Sequence, residues 1–132
     1  MSRYLLQVLI LAAGSDGEIQ KEELSLIHKY KEHYPSFQNL TEIEYDTEIA
    51  SVFNKIKAGM SPKYIIDEIG KNISADERVT AYALAYEICA SNFHIVPPEN
   101  DLLKEMKKNW KITKEDSDAI LRSINIRYKF NP

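Results

Sequence analysis

Acidic side chains gather at one short corner of the chain, between two apolar segments. Asp16 and Glu18 flank Gly17, and Glu22 and Glu23 follow shortly after them. Clustered carboxylates can bind a hard divalent cation such as Ca²⁺ or Mg²⁺, or dock the basic surface of another protein. The candidate metal ligands of this sequence are therefore Asp16, Glu18, Glu22 and Glu23.

The spacing of this corner matches only the second half of an EF-hand calcium loop. Asp16 would take loop position 5 and Glu23 the bidentate position 12, with Gly17 at the turn. Positions 1 and 3 would be Ala12 and Gly14, which carry no carboxylate, so a full EF-hand is excluded. A looser Ca²⁺ or Mg²⁺ site stays open. So does a structural role, in which the acids stabilise the turn and the start of the next helix.

Other catalytic or metal-binding patterns are missing from the sequence. His28 and His33 are five residues apart, which is not the four-residue spacing of a helical zinc site, and His94 stands alone. No nucleophile elbow, phosphate loop or kinase motif is present, so we do not expect an enzyme. The alternative is a metal-assisted enzyme that uses the carboxylates of the corner. Cys89, the single cysteine, lies in an apolar run and is expected to be buried.

A group of lysines near the C-terminus forms a second candidate surface. Helical spacing predicts that they share one face close to Trp110, where they could bind an acidic protein or a phosphate backbone. A solvated helix face is the commoner explanation of such a pattern. The net charge of −3 and the isoelectric point of about 5.6 also argue against general attraction to nucleic acid or anionic lipid. The candidate partner-binding residues are Lys104, Lys107, Lys108 and Lys111.

The apolar periodicity predicts one all-α domain over residues 1–132, with about seven helices and no strand. The first two helices are expected at residues 3–13 and from about Gln20 to Pro35. Glycines at 59 and 70 are expected to stop the third and fourth helices. A central helix, Val79 to Ala90, is expected to pack against residues 3–13. The signals that mark other helix starts are Thr41 with Glu44, Ser61-Pro62, Ser74 with Glu77, Pro97-Pro98 and Thr113 with Asp116.

The N-terminal segment allows a second interpretation. Arg3, the apolar run after it and Gly14-Ser15 imitate a short signal peptide. A single positive charge, the interruption at Gln7 and the continuity with the acidic corner favour a helix of the domain instead. The run is too short to span a bilayer, and one cysteine allows no internal disulfide. We therefore expect a cytoplasmic protein with no membrane partner.

The two halves of the chain repeat one pattern. When Ala13 is aligned with Ala90, Glu22 falls on Glu99, and each half shows an apolar helix, a corner and an acidic first turn. The second half has Phe93-His94 in place of Asp16-Gly17. A single repeat at this spacing predicts a pseudo-twofold domain.

The segment Ala12 to Ile19, followed by Glu22-Glu23 and Leu26-Ile27, resembles the signature of TerB-like domains, which include the tellurite-resistance protein TerB and the N-terminal region of DjlA-type DnaJ co-chaperones. The resemblance covers most of the chain. It implies a seven-helix cytoplasmic bacterial domain, without catalysis, that binds divalent ions or partner proteins through the acidic corner in a stress response. The family pattern repeats Asp-Gly in the second half, and this chain lacks that copy.

Overall fold

The computed structural model describes residues 2–14, 19–91 and 95–129, and within these ranges it contains only helices. The all-α prediction is therefore confirmed, with seven α-helices and one short 3₁₀ helix, Pro35–Phe37. The α-helices are α1 (Ser2–Ala13), α2 (Lys21–His33), α3 (Glu42–Lys57), α4 (Pro62–Gly70), α5 (Ala75–Ala90), α6 (Pro97–Asn109) and α7 (Lys114–Tyr128).

The core is built around the first and fifth helices. Every side chain of α1 from Leu5 to Ala13 is buried, and α1 makes its most extensive contacts with α5 and α3. Small side chains on α5, including Ala81, Ala85 and Cys89, are fully buried and let neighbouring backbones approach closely. The predicted central position of α5 and the burial of Cys89 are confirmed.

The predicted helix starts are present as hydrogen-bonded caps. The Thr41 hydroxyl accepts a hydrogen bond from the Glu44 amide at 3.2 Å, and the Ser74 hydroxyl accepts one from the Glu77 amide at 3.2 Å. Each glutamate also accepts a hydrogen bond from the backbone N–H of its cap residue, which completes a capping box. These local signals fix where α3 and α5 begin.

The buried side of α2 differs from the predicted stripe of Leu24, Ile27, Tyr30 and Tyr34. Ile27 and Tyr30 are buried, but Leu24 is 41% exposed and Tyr34 is 38% exposed. Glu23 is buried instead, because positions 23, 27 and 30 share one face of the helix. Tyr34 lies beyond the last helical residue, where the backbone is already extended.

A close contact between α4 and the end of α6 explains why position 70 is a glycine. The buried indole of Trp110 donates a hydrogen bond from its Nε1 to the carbonyl oxygen of Ile66 at 3.0 Å and covers Gly70. A Cβ atom at Gly70 would lie 2.6 Å from that nitrogen. Helix α4 does end at Gly70, as predicted, but the glycine is required because the indole leaves no room for a side chain.

Candidate functional site

The first corner joins α1 to α2 and contains the predicted acidic cluster. Helix α1 ends with the Gly14 amide donating a hydrogen bond to the carbonyl oxygen of Ile10 at 2.9 Å, and α2 begins after Gln20. Asp16 and Glu18 lie outside the described residues. The structure therefore places two of the four candidate metal ligands, Glu22 and Glu23.

These two neighbouring glutamates occupy different environments. Glu22 is exposed, whereas Glu23 is only 1% exposed and its Oε1 accepts a hydrogen bond from the Gln20 amide at 2.8 Å. Glu23 thus caps the start of α2, as the structural role considered above requires. Over residues 2–14, 19–91 and 95–129, no three His, Cys, Asp or Glu side chains lie close enough together to hold a metal ion. An ion site that includes Asp16 and Glu18 stays a prediction.

The second corner, between α5 and α6, repeats this arrangement with a shifted register. Glu99 is 2% exposed, and its Oε1 accepts a hydrogen bond from the Val96 amide at 3.1 Å. It therefore corresponds to Glu23, and the predicted pairing with Glu22 is wrong by one residue. The reason is that residues 14–20 separate the first pair of helices, whereas the shorter segment 91–96 separates the second. Phe93-His94 lie outside the described residues.

The start of α2 lies beside the ends of α5 and α7. A small surface cavity of about 280 Å³ is bounded there by Glu22, Ser25, Leu26, Lys29, Ser91 and Tyr128. Farther along, Tyr30 of α2 contacts Glu87 of α5. Because positions later in α2 face positions earlier in α5, the two helices run in opposite directions. The start of α2 and the end of α5 are therefore neighbours in space.

A buried carboxylate, Glu87, joins three helices near the corners. Glu87 is 5% exposed and accepts hydrogen bonds from the Tyr30 hydroxyl of α2 and from Arg127 Nη1 of α7. The Tyr128 hydroxyl donates to the same carboxylate at 3.2 Å. Helix α7 otherwise buries only Ile124 completely. The Glu87 network is therefore a polar attachment of α7 to the domain, in addition to the apolar packing of Ile120, Leu121 and Ile124.

The surroundings of Glu87 raise the pKa of both phenols. Burial, and then the hydrogen bond to Glu87, raises the pKa of Tyr30 far above its ordinary value. Burial, and then the negative charge of Glu87, raises the pKa of Tyr128 to about 12. Both phenols therefore stay protonated, and can donate to the carboxylate, up to a higher pH than an ordinary tyrosine. Sequence reasoning missed this network, although a glutamate inside the largely apolar segment of residues 79–90 was a signal of it.

The stability of the protein is expected to fall as the pH rises above about 10. A phenol whose pKa is higher in the folded state contributes stability that is complete below its unfolded pKa and is lost as the pH rises through the folded pKa. For Tyr128 this window runs from 10.0 to about 12, and for Tyr30 it extends further. Urea unfolding at a series of alkaline pH values measures the effect.

Single tyrosine-to-phenylalanine substitutions distinguish the contribution of the Glu87 network to this loss of stability from the contribution of other tyrosines. Tyr30→Phe should reduce the alkaline loss of stability, whereas Tyr64→Phe should not, because Tyr64 is half exposed and lies outside the network. Burial also raises the pKa values of Tyr82 and Tyr86, so some dependence should remain in Tyr30→Phe. An unchanged pH dependence in Tyr30→Phe would contradict the assignment.

The predicted lysine face is only partly helical. Lys104, Lys107 and Lys108 lie on α6, but the helix ends at Asn109, so Lys111 lies beyond it. Lys111 adopts a left-handed conformation with φ of 55°, and the following Ile112 amide donates a hydrogen bond back to the carbonyl oxygen of Lys107. This is the usual geometry of a helix C-terminus, and it reverses the chain direction. Binding of an acidic partner by these lysines stays a prediction.

The described helices define one all-helical domain in which the start of α2 lies beside the end of α5. None of these helices combines the length and the apolar character needed to cross a bilayer. Comparison of the chain with models of protein families, with curated proteins and with solved structures gives no match.

Proposed function

We propose that this chain is a non-catalytic TerB-like domain that binds a basic protein surface or a divalent ion through its first corner, in a stress response of the tellurite-resistance type. The observation that supports the proposal is the repeated hairpin. Helices α1 and α2, and again α5 and α6, are joined by corners in which a buried glutamate caps the second helix. The sequence resemblance described above predicts such a pairing.

The protein-binding version of this function is the better supported one. Glu23 is buried and one of its carboxylate oxygens is already bound to the backbone amide of Gln20, so it offers little to an ion. Glu22 remains on the surface, beside the acids at positions 16 and 18 in the sequence. A cluster of this kind attracts lysine- or arginine-rich surfaces through long-range electrostatics.

Amide NMR spectra recorded during titration test both versions. Ca²⁺ or Mg²⁺ at millimolar concentration should shift the signals of residues 14–24 if the corner binds ions. A lysine-rich peptide should shift the same signals if the corner binds basic partners. The double variant Asp16→Asn/Glu18→Gln should lose whichever response is present. The matched control is Glu32→Gln, an exposed residue at the opposite end of α2.

The outcomes distinguish the two versions. Shifts induced by the peptide but not by the ions would support the protein-binding version. Shifts induced by the ions but not by the peptide would support the ion-binding version. Equal peptide responses in the wild type and in Asp16→Asn/Glu18→Gln, with no ion-induced shift, would overturn the assignment of function to this corner.

A further inference from the structure

A cleft on another side of the molecule lies between α1, α3 and α4. Its volume is about 520 Å³, which is in the range of small-molecule sites. Its polar wall comes from α1 and α3 and its apolar wall mainly from the α4 side. The side chains that matter for binding are Arg3, Gln7, Glu48, Lys55, Met60 and Tyr64.

A buried carboxylate fixes the arrangement of the polar wall. The side chain of Glu48 is 10% exposed, its Oε2 accepts a hydrogen bond from Gln7 Nε2 at 2.6 Å, and its Oε1 lies 3.3 Å from Arg3 Nε. A buried carboxylate without such partners would be strongly unfavourable. The side chain of Arg3 is 60% exposed, so its guanidinium is also accessible to another anion. Glu48 therefore holds Arg3 at the cleft.

A second cation lies on the same wall. Lys55 follows Glu48 by two helical turns, so both side chains lie on one face of α3. Lys55 is partly buried and forms no ion pair within the described part of the chain.

The cleft contains one more acid, Glu68 of α4, which is exposed and close to a lysine. Asp67, and to a smaller extent Glu68, raises the pKa of the Lys71 ammonium group. Lys71 forms an ion pair with Asp67 at 3.1 Å, so it offsets the charge of Glu68 only in small part, whereas Arg3 offsets the charge of Glu48. Lys55 is the cleft cation that no ion pair among the described residues neutralises, so an anion placed beside it would gain an opposite charge.

The opposite wall offers an apolar surface. Met60 and Tyr64 are 36% and 51% exposed, although both are large apolar side chains. Ile65 and Ile69 also line the cleft and are buried. A ligand with an apolar body would remove this surface from water.

We propose that this cleft binds a small organic carboxylate. Its anionic end contacts the guanidinium of Arg3 and the ammonium group of Lys55, and its apolar body packs against Met60 and Tyr64. Arg3 can donate two parallel hydrogen bonds to a carboxylate. Glu48 is a positioning residue, because it acts on the ligand through Arg3. The cleft is separate from the acidic corner, so this proposal does not depend on the function proposed for the corner.

The probe for the experiment is 2-naphthoate, titrated into the full chain and followed by amide NMR. The expected result is a set of saturable shifts confined to residues 3–7, 47–55 and 60–72. The uncharged 2-naphthamide should bind at least roughly fivefold more weakly, because it lacks the carboxylate. Arg3→Ala and Lys55→Ala should each weaken 2-naphthoate binding by roughly fivefold. Lys57→Ala, an exposed lysine on the same helix that does not line the cleft, should leave binding unchanged.

Lys55→Ala is the decisive variant, because Arg3→Ala also removes the cation paired with the buried Glu48. If Arg3→Ala fails to fold, Lys55→Ala alone decides the question. Equal affinity for 2-naphthoate and 2-naphthamide would overturn the proposal. So would unchanged affinity in Lys55→Ala, shifts centred elsewhere, or no binding at millimolar 2-naphthoate.

Discussion

Gly70→Ala is expected to lower the free energy of unfolding by about 3 kcal/mol. The added Cβ would lie 2.6 Å from Trp110 Nε1 and 2.7 Å from Cδ1, closer than packed atoms approach. The indole is buried and hydrogen-bonded to the Ile66 carbonyl oxygen, so it cannot move without breaking that bond and disturbing the contact between α4 and α6. Urea unfolding of both proteins measures the difference.

Helix propensity alone predicts the opposite effect, a gain in stability, because alanine is favoured over glycine within a helix by about 1 kcal/mol. The matched background is Trp110→Ala, which removes every ring atom that the new methyl group meets. Gly70→Ala should cost much less in that background. An equal cost in both backgrounds would show that the indole is not the cause.

Glu87→Ala is expected to lower the free energy of unfolding by a similar amount, about 3 kcal/mol. The buried Tyr30 hydroxyl loses its acceptor, and a cavity forms beside α5 where the Glu87 side chain was. Arg127 adds less to the cost, because its side chain is 51% exposed and can turn to solvent. Glu87→Gln keeps an acceptor for Tyr30 and should cost about half as much. Chemical denaturation followed by circular dichroism measures both variants.

A double-mutant cycle with Tyr30→Phe isolates the hydrogen bond between these residues. Removing both partners should cost at least about 1 kcal/mol less than the sum of the single variants, because no buried polar group is then left without a partner. Strict additivity would mean that Tyr30 and Glu87 stabilise the protein independently.

The helix starts could be predicted from the sequence because their signals are local. Thr41 with Glu44 and Ser74 with Glu77 form their capping hydrogen bonds within four residues, so neighbouring sequence is sufficient. The burial of α1 was equally predictable, since nearly all of its side chains are apolar. Local signals thus identified the helices of the fold.

Long-range contacts account for what the sequence could not predict. The role of Gly70 depends on Trp110, forty positions away, and no local pattern connects them. The register of the repeat depends on the length of the corners. The second corner is one residue shorter than the first, so Glu99 corresponds to Glu23 and not to Glu22.

The candidate site was predictable in composition but only partly in geometry. The acidic residues of the first corner are evident from their spacing, yet adjacent glutamates serve different purposes, because Glu23 faces the helix start and Glu22 faces solvent. The partners of Glu87 come from α2 and α7, and no short motif indicates that they meet. Side-chain direction depends on how whole helices pack.

The pairing of α1 with α5 has a consequence for biosynthesis. Helix α1 is almost wholly apolar and is synthesised before α5, its main partner, which begins only at Ala75. At a translation rate of about 5–20 residues per second, α1 waits several seconds before that partner is made. During that interval its side chains can associate with other nascent chains. Slowing elongation between α1 and α5 should therefore increase aggregation of the newly made protein.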